Sequence, residues 1–278
     1  MQTNLTDQPI GVFDSGLGGL TVVQELWREL PQEQIIYFGD TARVPYGSRS
    51  PEEIIEFNAE IIEFLLAEKV KIIVFACNTS TSLALDAMRQ RYPVPMFGII
   101  QPGAKAALAT TQNKRIGLMA TEATVRSGAY RYAIHDLDSQ AVLIEQACPK
   151  LVPLIEKGEI VGPETSQALG EYLLPLQQGE VDTIIYGCTH YPFLEPEIKR
   201  IFPQQFQLVN PACSCAQEVR EYLKQNRLTA QEKPGEDRYF VSGDPGKFQQ
   251  LGTRLINRLL TVPQKVDVFS PGPLKIVL

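Results

Sequence analysis

Eight short runs in this 278-residue chain are apolar at nearly every position: IGVFD (10–14), QIIYFGD (34–40), KIIVFAC (71–77), RIGLMAT (115–121), AVLIEQA (141–147), TIIYGCT (183–189), FQLVNP (206–211) and DRYFVSGD (237–244). A strand with one wet face alternates polar and apolar residues, whereas a parallel strand covered on both faces does not. The runs therefore predict buried parallel strands. Stretches with helical spacing separate them. SPEEIIEFNAEIIEFLLAEK (50–69) opens with Ser50, Pro51 and two glutamates, an N-cap followed by first-turn acids. Strands alternating with helices predict an α/β fold of doubly wound, mostly parallel sheets.

A weak internal repeat refines this picture. IGVFDSG, beginning at Ile10, is echoed 106 residues later by IGLMATE, beginning at Ile116, and Cys77 and Cys188 end similar runs 111 residues apart. Such similar offsets imply two similar half-domains. The first lobe is expected over residues 1–100 plus a returning tail, 208–278, and the second over 101–207.

Composition narrows the partners. With 26 basic and 32 acidic residues and a net charge of −6, the chain lacks the basic footprint that attracts nucleic acid or an anionic membrane. MQTNLTDQPI has neither a basic nor an apolar signal region, and no apolar run approaches the roughly 20 residues that span a bilayer. A cytoplasmic protein acting on a small molecule is expected. Five widely spaced cysteines, Cys77, Cys148, Cys188, Cys213 and Cys215, argue for reduced thiols rather than a disulfide framework. Cys213 and Cys215 lack the CxxC spacing, and His135 and His190 are the only histidines, so no metal site is expected.

In open α/β sheets, ligands gather outside the carboxyl ends of the strands. Asp14-Ser15, Asp40-Thr41, Cys77-Asn78-Thr79, Thr121 and Cys188-Thr189-His190 all fall there. A thiol just ahead of a helix meets unpaired N–H groups and the positive end of the macrodipole, which lowers its pKa and suits it to act as a base. The plain alternative is that free cysteine packs as a small hydrophobe; two cysteines in matching contexts weigh against it. Asn78, Thr79, Ser80 and Thr189 offer N–H and hydroxyl donors for a carboxylate, and Pro45-Tyr46-Gly47 reads as a tight turn. Asp14, Asp40 and Glu156 are candidates to pair with an ammonium group or tune a thiol. His190 either assists proton transfer or caps its helix.

IGVFDSGLGGLT followed by IIYFGD also imitates a dinucleotide site, with Gly16 and Gly18 as the first glycines and Asp40 as the ribose acid. Thr21 stands where the third glycine belongs, and Asp14 would crowd a pyrophosphate with negative charge. A nicotinamide-dependent oxidoreductase is thus a weaker alternative.

Taken together, IGVFDSGLGGLTV, FGDTARVPYGSRS, ACNTSTS, TEATVRSGAY, YGCTHYPFL and SGDP resemble the glutamate racemases, within the cofactor-independent aspartate/glutamate racemases. The resemblance runs nearly end to end. It implies two pseudosymmetric α/β lobes with the active site between them, and two opposed thiols, Cys77 and Cys188, that exchange a proton at the α-carbon of glutamate without any cofactor. Asp14, His190 and Glu156 would assist them. Substrate contacts would come from Asp14, Ser15, Pro45, Tyr46, Gly47, Asn78, Thr79, Thr121 and Thr189. The resemblance further implies D-glutamate supply for peptidoglycan and allows a homodimer, while an aspartate or broader amino-acid racemase is the nearest rival. One departure is Ala120 in MATEAT, where glycine is common in the family.

Overall fold

Ile10 and Val12 of β1 (Ile10–Asp14) point into one apolar layer and Phe13 into another, and neither layer meets water. The same division continues across the neighbouring strands, which is why their sequences do not alternate. In the computed structural model, which describes residues 4–268 and 275–277, β1 pairs in parallel with β2 (Ile35–Gly39) and β3 (Ile72–Phe75), and β4 (Met96–Gly98) pairs with β3. The first three residues of the amino-terminal segment lie outside the described residues.

A second sheet contains β5 (Arg115–Ala120), β6 (Val142–Ala147), β7 (Thr183–Gly187) and β8 (Gln207–Val209), all parallel, in the order β6-β5-β7-β8. The chain then returns to the first sheet through β9 (Arg238–Val241), β10 (Gln264–Asp267) and β11 (Lys275–Val277). This gives the order β11-β10-β9-β2-β1-β3-β4, in which β11 alone is antiparallel to its neighbour. β2-β1-β3-β4 and β6-β5-β7-β8 have the same winding. The sequence repeat is therefore a topological repeat, with Cys77 and Cys188 each following the third strand of its set.

Helix α2 (Pro51–Ala67) begins where the sequence predicts. Ser50 Oγ accepts from Glu53 N at 3.2 Å, and Glu53 Oε2 accepts from Ser50 N at 2.9 Å, closing a capping box. Three strands escape the apolar pattern. β4 is only three residues long, and β10 and β11 form an edge where Gln264 and Lys265 are exposed. Among the described residues no helix is long and apolar enough to cross a membrane.

Candidate active site

The carboxyl ends of β1, β3, β5 and β7 converge between the two sheets. Ser15 follows β1, Cys77, Asn78 and Thr79 follow β3, Thr121 follows β5, and Cys188, Thr189 and His190 follow β7. With Pro45, Tyr46 and Gly47 from the loop after β2, and Val152, they line a cavity of about 20 Å³. That is room for about one water. The Val44–Pro45 peptide is cis. A larger open groove of about 880 Å³ lies elsewhere, past Arg89, Lys105 and His135, and none of the expected site residues lines it.

Cys77 is the N-cap of α3 (Asn78–Arg91), as the sequence suggests, but burial outweighs the helix end. Burial pushes the thiol up to about 12, and Asp14 adds to the effect. Ser80 opposes it. No hydrogen bond from the Cys77 side chain closes onto the helix, yet the Ser80 N–H and hydroxyl lie near enough to favour the anion. The expectation of a lowered pKa at this helix start is thus corrected: the site holds Cys77 as a protonated thiol.

Cys188 has different surroundings. The chain continues from it into a short 3-10 turn, Tyr191–Leu194, rather than an α-helix, so the expected helix end is missing. His190 replaces it. The imidazole Nδ1 lies 3.7 Å from Cys188 Sγ, and Nε2 lies 2.7 Å from Glu156 Oε1 at the end of α7 (Leu151–Glu156). Burial works against an imidazolium, but contacts with Cys188 and Glu156 hold His190 well above its ordinary value. Although burial alone would raise Glu156, its bond and charge interaction with His190, and the Leu17 N–H, lower it. His190 therefore makes no side-chain cap and faces the thiol instead.

The Glu156–His190 contact carries a pH signature. The lowered Glu156 contributes stability above the ordinary carboxylate range and loses it as pH falls through its folded value. The raised His190 contributes fully below about pH 6.5 and loses its contribution as pH rises through its own folded value. Replacing Glu156 by glutamine should therefore lower the melting temperature most between these limits. Melting curves of both proteins from about pH 4 to about pH 9 would check this; a constant offset at every pH would refute it.

The glycine-rich turn is filled by the other lobe. A Cβ on Gly18 would lie 2.3 Å from Thr189 Oγ1 and 2.4 Å from His190 Nδ1, and one on Gly16 would lie 2.4 Å from Glu156 Oε1. Leu17 N, where a dinucleotide phosphate would sit, donates to Glu156 Oε1 at 3.1 Å. Asp14 Oδ2 accepts from Gly16 N and Oδ1 from Thr189 Oγ1, both at 3.0 Å, so Asp14 stands behind the cavity, where burial raises its pKa. Asp40 is committed too. It accepts from Arg43 Nε at 2.6 Å, from the Tyr46 hydroxyl and from Ser242 Oγ at 2.7 Å. It anchors the Pro45-Tyr46-Gly47 turn, rather than binding a ribose or an ammonium.

Polar groups complete the lining. Tyr130 donates to Asn78 Oδ1 at 2.7 Å, which fixes the amide and leaves Asn78 Nδ2 buried without a partner. Thr79 Oγ1 meets Thr121 Oγ1 at 2.9 Å and Thr124 Oγ1 at 3.2 Å, joining the two lobes. Tyr130 and Thr124 were not singled out in the sequence, although both lie within TEATVRSGAY. Ala120 is accommodated by Gly187, where a Cβ would come within 2.8 Å of the Ala120 methyl. Two thiols, a charged relay behind one of them and an unpaired amide donor among hydroxyls around a small cavity suit proton transfer at a carbon next to a carboxylate.

A model of the Asp/Glu/Hydantoin racemase family matches residues 10–219. A glutamate racemase of Trichodesmium erythraeum is 46% identical over 256 residues, covering 92% of this chain and 94% of that protein. Among solved structures, a glutamate racemase isoform from Bacillus anthracis superposes with a TM-score of 0.90 at 36% identity, covering 95% of this chain and 98% of the other. One from Francisella tularensis, in complex with D-glutamate, gives 0.88 at 33% identity, covering 95% and 99%.

Proposed function

Because the chain belongs to the glutamate racemases of the Asp/Glu/Hydantoin racemase family, we propose that it interconverts L- and D-glutamate by proton transfer between Cys77 and Cys188. One observation supports this reading: two buried thiols, at matching strand ends of two lobes, line the same cavity. Cys188 takes the α-proton of L-glutamate while Cys77, held protonated, delivers a proton to the opposite face. Their roles exchange for D-glutamate. The His190 imidazolium supplies the counter-charge for Cys188 as thiolate and is itself held by Glu156. No step requires pyridoxal phosphate, a metal or a nucleotide.

Asn78 Nδ2, with the hydroxyls of Ser15, Thr79 and Thr121 and the backbone N–H of Thr189, binds the substrate carboxylates, and Pro45-Tyr46-Gly47 closes one wall. Removing a proton from so weak a carbon acid demands donors fixed in advance around the developing charge. Since a cavity of about 20 Å³ cannot hold glutamate, the lobes part to admit it and close over it. They comprise residues 1–100 with 208–278, and 101–207. The D-glutamate produced in the cytoplasm supplies peptidoglycan.

The test is incubation of the dialysed protein with each enantiomer in D₂O. Optical rotation should decay to zero from either side, with deuterium entering at the α-carbon as inversion proceeds. Unchanged rotation and an undeuterated α-carbon, alongside a working racemase, would end the proposal.

A further inference from the structure

Cys188 has a charged relay behind it, but Cys77 has no imidazole. Its support comes from Ser80, one turn into α3, and behind Ser80 stands Asn58, a fully buried residue of α2 that does not line the cavity. Asn58 Nδ2 donates to the Ile54 carbonyl at 2.6 Å and to Ser80 Oγ at 3.2 Å. A carbonyl only accepts, so the Ile54 contact fixes which end of the amide faces Ser80. Both amide hydrogens are then used, and Ser80 Oγ must be the acceptor. The hydroxyl's own hydrogen is left for another partner, and Cys77, the N-cap three residues before Ser80, lies one turn back on the same helix.

We propose that Asn58 is a positioning residue for Cys77, turning the Ser80 hydroxyl toward the sulfur and so supporting the thiolate that must meet D-glutamate. Asn58–Ser80 is thus the neutral counterpart of Glu156–His190. A neutral donor suits a thiol that burial holds protonated, since it eases formation of the Cys77 anion without adding a fixed charge. Asn58 Oδ1 has no partner, a burial cost that a purely structural residue would avoid by being apolar. The inference rests on the two-thiol reading above.

The experiment uses isotope effects, because the equilibrium constant of one forces kcat/KM to fall equally in both directions whichever thiol is impaired. Ser80→Ala and Asn58→Leu should each lower kcat/KM about three- to tenfold, the size of one lost hydrogen bond to an ionised group's site. Impairing Cys77 makes its proton transfer more rate-limiting. The isotope effect with α-deuterated D-glutamate should therefore rise, while that with α-deuterated L-glutamate should fall. Adding Asn58→Leu to Ser80→Ala should cause no further change in this ratio, since Asn58 acts through Ser80. Ser80→Ala keeps the test open if Asn58→Leu does not fold. Isotope effects unchanged, or shifted alike for both enantiomers, would overturn the relay. Absence of racemisation by the unaltered protein would overturn the two-thiol reading as well, so the two failures are distinguishable.

Discussion

Serine in place of either Cys77 or Cys188 is expected to lower kcat/KM by about 10²- to 10⁴-fold, the usual contribution of a positioned acid or base. The loss should be the same for both enantiomers, since they have equal free energy in water. Serine keeps the shape of the side chain but is a much weaker acid, so neither half of the transfer proceeds well. The division of roles appears in what survives. Cys188→Ser should retain slow α-deuterium exchange of D-glutamate without inversion, and Cys77→Ser that of L-glutamate. Proton NMR in D₂O resolves both. Full turnover of Cys188→Ser in both directions would refute the assignment.

Gly18→Ala should be nearly as damaging although Gly18 has no side chain to contribute. Its methyl would lie 2.3 Å from Thr189 Oγ1 and 2.4 Å from His190 Nδ1, distances at which something must move. Those atoms are already engaged, since Thr189 Oγ1 donates to Asp14 and His190 links Cys188 to Glu156. Overpacking of this kind costs about 1–3 kcal/mol of stability. Displacing the imidazole by about 1 Å should cost about 10²-fold in kcat. Thermal melting and steady-state kinetics would show both losses; a variant with normal kcat and a normal melting temperature would show that the turn is not a fixed seat for the relay.

These glycines also show where sequence reasoning stops. Read locally, GLGG ahead of a helix suggests a phosphate-binding turn, because the pattern records only that backbone must come close to something. The partner is 139 or more residues away in the chain: Glu156, Thr189 and His190 of the other lobe. Asp40 misleads in the same way, as its partner Ser242 lies 202 residues on. By contrast, β1, the start of α2 and the matching cysteine contexts were legible because continuous apolar runs and capping residues are local signals. Short or edge strands such as β4 and β10 carry too few buried positions to register. The raised pKa of Cys77 was hidden because it depends on burial between lobes, whereas its place at a helix start was plain. Asn58 sits within the helix correctly read over 50–69, but nothing in its spacing distinguishes it from a polar residue facing solvent.

The small volume between the lobes gives the reaction a history. With room for about one water, the cavity offers the sulfur protons few solvent partners. On the two-thiol mechanism, each conversion of L- to D-glutamate leaves Cys188 protonated and Cys77 ionised, the arrangement suited to the reverse reaction. The released protein therefore carries a memory of the enantiomer it last made, erased only when opening lets the two thiols re-equilibrate. At high substrate concentration, the pace of that forgetting, more than the carbon acid itself, would set the ceiling on flux.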